Sequence, residues 1–286
     1  MTVMAFNEAL REALHEEMAR DESVFVMGED VITHGGPYKV TDGVAEKFPG
    51  RIFETPIAEA GIVGLGVGAA MAGMNPVIEI MYLDFITCAM DEVVNQAAKM
   101  RYMTGGQAKV PLTIRTTIGA GRSSAAQHSQ SLHAWLSHIP GIKVAIPSTP
   151  ADLKGLLKTA IRDDSPVIFF EDKMMYTEKG MVPNEEYTIP FGVADVKRVG
   201  DDITVIATSS MVSVALKAAE RLATEGISAE VIDPRTLSPL DEATLVDSAK
   251  KTSRCIVIDE GYSHFGATAE LAALVSSKAF YHLDAP

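Results

Sequence analysis

Short strand-like apolar runs alternate with helical apolar periods along most of this chain, and this alternation restricts its fold more than any other feature. The helix predicted near 5–20, for example, is followed by VFVM at 24–27. Further helices are predicted from Glu59 onward, over 84–102, over 127–138 and over 151–162, and they lead to PVIEI, LTIRT, IKVAI and PVIFF. A parallel sheet with helices on both faces produces this order. We therefore predict a doubly wound α/β domain.

The alternation stops at residues 171–200, which are polar, contain two prolines and have no sustained period. Such a segment is typical of a linker between domains. Three more strand–helix units follow it, and they begin with ITVIA, AEVID and CIVID. The sequence therefore predicts an α/β domain over 1–175, a linker over 176–200 and a second, smaller α/β domain over 201–286.

Charge and composition argue against several classes of protein. The net charge of −13 argues against binding to a phosphate backbone, which requires a basic surface. The two cysteines, Cys88 and Cys255, have no paired spacing, so neither a disulfide framework nor a cysteine zinc site is expected. The longest apolar run, 60–74, is too short and too rich in glycine to span a bilayer. We expect a cytoplasmic protein that binds neither nucleic acid nor membranes.

A glycine-rich apolar segment, TPIAEAGIVGLGVGAAMAG at 55–73, allows two interpretations. GLGVGA at 64–69 satisfies a relaxed dinucleotide fingerprint, but that fingerprint must directly follow a strand, and the preceding residues are too broken to form one. As a helix, the segment places small residues on one stripe: Gly61, Gly64, Gly68 and Ala72. Since glycine weakens a helix by about 1 kcal/mol relative to alanine, close packing must compensate. Either a second copy of the helix or the interior of the same domain would supply that packing.

Glu59 is the one charged residue of this segment, and it stands at the head of the helix. A carboxylate in the first turn complements the helix dipole, which is the simpler explanation. The alternative is a carboxyl group held against an apolar helix so that it shares a proton with a ligand.

His128 is the candidate among three histidines in AAQHSQSLHAWLSHIPG, residues 125–141. On the helix predicted over 127–138 it shares a face with Leu132, Trp135 and Ile139, as a hydrogen-bonded core histidine would. A helix start after the glycine-rich loop at 119–121 is equally suited to an active-site imidazole. Both interpretations stay open on the residues alone.

Several motifs together resemble the β subunits of thiamine-diphosphate-dependent 2-oxo acid dehydrogenases. Besides the glycine helix, they are TPIAEAG, MYLDFITCAMDEVVNQAAK, RYMTGGQAKVP, GAGRSSAAQHSQSLHAW and IDPRTLSPLDE. The resemblance covers essentially the whole chain. It implies a transketolase-type pyrimidine-binding domain followed by a transketolase C-terminal domain, both of the α/β class. Because relatives continue beyond Leu283-Asp284-Ala285-Pro286, we expect the second domain to be incomplete at its C-terminus.

The resemblance also implies roles for individual residues. A glutamate at the position of Glu59 hydrogen-bonds the aminopyrimidine ring of thiamine diphosphate and exchanges a proton with it. Glu29 matches an acid on the path between two cofactor sites, and Ile57 and Phe85 match residues around the aminopyrimidine. His128 matches an imidazole near the substrate or the incoming lipoyl arm. A structural potassium site is implied at Leu112, Ala160, Ile161, Asp163 and Ser165, made largely of backbone carbonyls.

The family holds the cofactor diphosphate through magnesium with a Gly-Asp-Gly motif and a later asparagine. The nearest match here is Gly200-Asp201-Asp202, and no asparagine follows it. The resemblance therefore implies that an α subunit holds the magnesium ion and shares the cofactor in an α2β2 heterotetramer. The two β subunits would pack through the glycine helix, and a lipoyl-bearing acyltransferase core would be a further partner.

The function expected from this resemblance is decarboxylation of a 2-oxo acid with reductive acylation of a lipoyl group, by an oxidoreductase active only with its α subunit. VITHGGPYKVTDGV resembles pyruvate dehydrogenase β subunits, whereas VIFFEDKMMYTEKGMVPNEEYTIPFG is closer to acetoin dehydrogenase. We predict pyruvate as the substrate, with acetoin cleavage as the alternative. A catalytically silent assembly subunit is the rival from another class, and a nicotinamide-dependent oxidoreductase is a distant third.

Overall fold

The computed structural model of the chain describes residues 1–285, which divide into two compact units. The first unit comprises Met1–Ala145 and Thr149–Pro190, and the second comprises Ile146–Ser148 and the chain from Phe191 onward. Each unit is built on its own parallel β-strands.

A parallel sheet forms the centre of the first unit. The strands of this unit are β1 (Thr2–Ala5), β2 (Val24–Gly28), β3 (Ile52–Glu54), β4 (Asn75–Ile80), β5 (Thr113–Ile118), β6 (Lys143–Ala145), β7 (Val167–Asp172) and β8 (Lys179–Val182). Six of them lie side by side in the order β6-β7-β5-β4-β2-β3. Strands β1 and β8 pair antiparallel in a separate ribbon. The central strands β5 and β7 are buried along their whole length.

Helices connect these strands. They are α1 (Phe6–Arg20), α2 (Val44–Lys47), α3 (Glu59–Met71), α4 (Ala98–Met103), α5 (His133–Ser137) and α6 (Pro150–Ile161). Local signals fix the start of α6, because the Thr149 hydroxyl accepts a hydrogen bond from the Asp152 amide and proline occupies the first helical position. The helices predicted near 5–20, from Glu59 and over 151–162 correspond to α1, α3 and α6 and are confirmed.

Two predicted helices differ from the observed structure. The stretch predicted as one helix over 84–102 consists of a 3₁₀-helix at Leu83–Ala89, a π-helix at Glu92–Ala97 and then α4. The Thr87 hydroxyl donates to the Asp84 carbonyl, so a side chain competes for an acceptor at the start of this stretch.

The helix predicted over 127–138 is wrong. Only a 3₁₀ turn at Ala126–His128 and the short α5 form there. The Gln130 amide donates to the Asp84 carboxylate, 3.3 Å away, instead of continuing a helical ladder. His128 consequently does not share a helix face with Leu132 or Trp135.

The second unit has a four-stranded sheet in the order β13-β10-β11-β9, in which only β9 is antiparallel to its neighbour. The strands of this unit are β9 (Asp195–Arg198), β10 (Ile203–Ala207), β11 (Ala229–Asp233), β12 (Thr236–Ser238) and β13 (Cys255–Ile258). Its helices are α7 (Met211–Thr224), α8 (Glu242–Thr252) and α9 (Ala267–Lys278), followed by a 3₁₀ turn at Phe280–His282. Apolar side chains of α8 and α9 pack with Ile206 and Ile232 in its core.

The α/β class and the second series of strand–helix units are confirmed. The stretch predicted as a linker, 176–200, contains β8 in the first unit and β9 in the second, and the two units divide between Pro190 and Phe191. Among residues 1–285, no helix is long and apolar enough to cross a membrane.

Candidate active site

The candidate cofactor and catalytic residues lie in the segments that follow four adjacent strands of the first unit. Glu29 follows β2, Ile57 and Glu59 follow β3, Phe85 follows β4, and His128 follows β5. Since these strands are neighbours in the order β5-β4-β2-β3, the five residues lie along one edge of the sheet. The carboxyl edge of a parallel sheet is where α/β proteins bind their ligands.

Glu59 is the first residue of α3 and is half-buried. The backbone amides at the start of a helix carry partial positive charge, which favours a carboxylate there. Ile57, two residues earlier, has 82% of its surface exposed. A carboxyl group beside an uncovered apolar side chain is suited to a flat heteroaromatic ring, because the ring has both a hydrogen-bonding edge and apolar faces.

Glu29 belongs to the same site electrostatically. Partial burial raises the pKa of its carboxyl group, and the negative charge of Glu59 raises it further. The charge of Glu59 therefore favours the protonated form of Glu29. The edge therefore contains a carboxyl pair suited to proton exchange.

Phe85 and His128 contact each other on this edge. Their ring centroids are 5.2 Å apart in an edge-to-face arrangement. The ring of Tyr82 lies 4.9 Å from that of His128 and 6.2 Å from that of Phe85. The structure thus brings together two residues predicted from distant parts of the sequence, and it adds Tyr82, which sequence reasoning missed.

A buried ionic network lies in the adjoining strands. The Arg115 guanidinium donates to both carboxylate oxygens of Glu171, at 2.7 and 2.8 Å, and to Glu79 at 2.7 Å. Tyr176 donates its hydroxyl hydrogen to Glu171. Burial raises the pKa of Glu79, although Arg115 opposes the shift. Sequence reasoning also missed this network, whose one signal was a charged residue within each of the strands β4, β5 and β7.

The residues predicted to bind potassium lie at the other end of the sheet. Leu112 directly precedes β5, and Asp163 and Ser165 precede β7. Asp163 already pairs with Lys143 and accepts the Ser165 amide, while the Ser165 hydroxyl accepts from Arg101. Ala160 and Ile161 end α6. Protein partners therefore occupy these side chains, and any cation there would depend on backbone carbonyls.

Within residues 1–285, no group of three or more His, Cys, Asp or Glu side chains could hold a metal ion.

Each of the two units matches a known family of protein domains. The family model for the transketolase pyrimidine-binding domain matches residues 2–179, and the model for the transketolase C-terminal domain matches residues 192–286. The two matches together cover nearly the whole chain.

Individual proteins are similar over the same length. The chain is 48% identical to the β subunit of acetoin:2,6-dichlorophenolindophenol oxidoreductase of Bacillus subtilis, covering 99% of this chain and 87% of that one. It is 49% identical to the β subunit of the pyruvate dehydrogenase E1 component of Rickettsia felis, covering 98% and 86%. Among solved structures, an inactive β4 tetramer of a split-gene transketolase has a TM-score of 0.81 at 26% identity, covering 96% of this chain and 86% of that one.

Proposed function

The chain belongs to the transketolase-like family of β subunits of thiamine-diphosphate-dependent 2-oxo acid dehydrogenases, and from this membership we propose how its residues act. As a β subunit of this kind, it is an oxidoreductase subunit that works within an α/β complex. We propose that the complex decarboxylates pyruvate and transfers the acyl group to a lipoyl arm. The observation that carries this proposal is the convergence of Glu59, Phe85 and His128 on the carboxyl edge of one sheet.

Glu59 is proposed as the proton-exchanging group. The residues fit an aminopyrimidine, since Glu59 provides a hydrogen-bonding carboxyl group and Ile57 and Phe85 provide apolar and aromatic surfaces. When bound, thiamine diphosphate supplies the carbon nucleophile that reacts with the substrate carbonyl. Glu59 would hold a proton at its carboxyl oxygen and exchange it with the ring nitrogen. Glu29, whose carboxyl pKa is raised, would provide a second proton-binding group.

His128 is proposed to act on the substrate or on the lipoyl arm. Its ring is half-buried between Tyr82 and Phe85, which restricts its orientation. An imidazole has one nitrogen that donates and one that accepts a proton, so the ring is suited to general acid–base catalysis of acyl transfer.

An α subunit is proposed to complete the cofactor site. This chain has no Gly-Asp-Gly motif, and the described residues contain no cluster of acids for a divalent ion. A magnesium ion bound to the α subunit would hold the diphosphate, and the exposed Ile57 would be covered at the α–β interface. The assembly proposed is an α2β2 heterotetramer that delivers acyl groups to a lipoyl-bearing core.

The outer face of α3 is proposed to pack against a second β subunit. Gly61 and Gly68 are exposed, and a methyl group added at Gly68 would have no neighbour within 4 Å. Leu65, on the same face, has 63% of its surface exposed. Small residues around an exposed leucine permit another helix to approach closely.

Potassium binding stays a prediction for the carbonyls of Leu112, Ala160 and Ile161, with Asp163 and Ser165. A cytoplasmic location also stays a prediction, supported by two cysteines that are free in the described chain and suited to a reducing compartment.

A substrate panel tests the proposed function. The chain would be co-purified with an α-type partner that carries the Gly-Asp-Gly motif and assayed with thiamine diphosphate and an artificial electron acceptor. We expect turnover of pyruvate by the complex and none by either chain alone. Preferential cleavage of acetoin would favour the second candidate, which the 48% identity to the acetoin oxidoreductase β subunit supports. An assembled complex without turnover of any panel member would indicate a silent assembly subunit.

A further inference from the structure

The His128 loop, defined as residues 119–132, connects β5 to α5 and contains unfavourable backbone conformations. Ser123 and Ala125 have φ angles of 56° and 61°, in the left-handed region that side chains other than glycine disfavour. Such conformations persist only where surrounding contacts hold them. The loop therefore requires external attachments to keep His128 in place.

Lys173 provides two of these attachments from the neighbouring end of β7. Its ammonium group donates a hydrogen bond to the backbone carbonyl of His128. Its own backbone carbonyl accepts from the Arg122 guanidinium, at 3.3 Å from Nε and 3.2 Å from Nη2. Both halves of the loop are thereby connected to one residue.

The side chain of Lys173 is unusual for a lysine, because only 1% of its surface is exposed. Lysine is almost never fully buried unless its charge has partners. The ammonium group lies 5.1 Å from the centre of the Tyr82 ring, the same ring that packs against His128. A cation over an aromatic face is attracted to it, so Lys173 is oriented by the ring that also orients the imidazole.

We propose that Lys173 is a positioning residue, which holds the His128 loop in the conformation needed for acyl transfer. This inference rests on the proposed role of His128. Lys173 acts through that residue and does not itself take part in proton transfer. The orientation of the imidazole depends on the position of the His128 backbone, and Lys173 holds the carbonyl oxygen of that residue.

Hydrogen exchange of the assembled complex tests the positioning directly. Lys173→Met removes the ammonium group and keeps much of the buried side-chain volume, so amides of residues 122–131 should exchange faster. Lys173→Arg keeps a cationic donor and should restore part of the protection. Lys154→Met is the matched control: Lys154 is 2% exposed in the same unit but binds Glu12 and Glu16 instead. The Lys154→Met variant should leave hydrogen exchange in the His128 loop unchanged.

Arg122→Gln keeps the test decisive if Lys173→Met fails to fold. Arg122 is exposed, so the fold should tolerate its replacement more readily. The substitution removes the hydrogen bond from the Arg122 guanidinium to the Lys173 carbonyl. Faster exchange in the loop supports the proposal, and unchanged exchange in Arg122→Gln, and in Lys173→Met where that variant folds, overturns it.

A double-mutant cycle separates this proposal from the role of His128. A displacement of about 1 Å can reduce catalysis by about 100-fold, so Lys173→Met should reduce lipoyl acylation by about 10- to 100-fold. The same change in a His128→Ala background should cause little further loss, because both changes disable one group. Equal losses in the two backgrounds would refute action through His128. If His128→Ala alone has no effect while exchange in the loop still responds to Lys173→Met, the proposed role of His128 fails and the attachment of the loop stands.

Discussion

The charge of Glu59 is, after burial, the largest contribution to the raised pKa of Glu29. Glu59 follows β3 and Glu29 follows the neighbouring strand β2. Their carboxyl groups therefore interact electrostatically although 30 positions separate them in sequence. A like charge opposes ionisation, so the charge of Glu59 raises the proton affinity of Glu29. The carboxyl edge of the sheet thus contains an acid, Glu29, whose pKa depends on the charge of a neighbouring one.

Removal of one charge should reveal this coupling. In Glu59→Gln, the pKa of Glu29 should fall toward the ordinary glutamate value without reaching it, because burial continues to raise it. Carbon-13 NMR titration of glutamate carboxyl groups in the purified chain measures the change. Glu46→Gln, which neutralises an exposed acid on α2, should leave Glu29 unaffected. An unchanged Glu29 titration in Glu59→Gln would show that the two groups are independent.

The same variant tests the proposed proton exchange. Glu59→Gln keeps the shape and polarity of the side chain, so the α2β2 complex should still assemble. Cofactor affinity should fall by about 1–2 kcal/mol, since a charge-assisted hydrogen bond becomes a neutral one. Hydrogen–deuterium exchange at the thiazolium carbon of the bound cofactor should slow by about 10²–10⁴-fold, the usual effect of losing a general acid–base group. Quenched-flow proton NMR measures that rate. Similar rates in wild type and variant would reduce Glu59 to a residue that complements the helix dipole.

The role of His128 predicts unequal losses in two assays. His128→Ala should reduce lipoyl acylation by about 100-fold, as expected for a general acid–base group. Decarboxylation measured with an artificial electron acceptor should fall much less, because that assay bypasses the lipoyl arm. His138→Ala, which replaces an exposed histidine at the end of α5, is the control and should leave both assays intact. Equal losses in both assays for His128→Ala would point to general disruption of the site.

Local sequence signals predicted the elements whose ends depend on neighbouring residues. Thr149 and Pro150 mark the start of α6, and the apolar PVIFF run marks β7. The helix predicted after β5 was wrong because its end depends on a residue that is distant in sequence. The contact that stops a helix there joins Gln130 to Asp84, which lies 46 residues earlier, and no local pattern contains it.

The site was predictable to the extent that motifs identify single residues. Glu29, Glu59, Phe85 and His128 were named from the sequence, and the order of the strands places them on one edge. Arg115 was not identified, because its partners lie on two other strands and their adjacency depends on the topology of the sheet. Lys173 was missed for the same reason, since its importance derives from a contact across to the His128 loop.

The glycines of α3 predict opposite effects of one substitution in two assays. A methyl group at Gly68 meets nothing within 4 Å, so Gly68→Ala should stabilise the dilute, isolated chain by up to about 1 kcal/mol through helix propensity. If a second β subunit packs on this face, the same change should weaken association. Thermal unfolding and sedimentation velocity measure the two effects.

Gly66 provides the control, because it points into the domain. Its added methyl group would lie 3.0 Å from Leu112 and 3.3 Å from Ile78, so Gly66→Ala should destabilise the isolated chain. Association that stays at the wild-type level in both Gly68→Ala and the larger Gly68→Leu would exclude this face as the β–β contact.

The ion pairs that Lys158 and Arg162, at the end of α6, form with Glu186 after β8 predict a pH-dependent stability. Hydrogen bonds from Lys158 and then Arg162 lower the pKa of Glu186 to about 2. Because the folded-state pKa lies below the ordinary value, the stabilisation is fully present above about pH 4.5 and is lost as the pH falls toward 2. Since 61% of the Glu186 side chain is exposed, screening limits its contribution to about 1 kcal/mol or less.

Glu186→Gln should therefore lower the urea midpoint of the isolated chain at pH 6, and the difference from wild type should shrink at pH 3. Glu185→Gln replaces the adjacent exposed acid and should have little effect at either pH. A difference that stays constant between pH 6 and pH 3 would mean that the ionised carboxylate of Glu186 does not stabilise the fold.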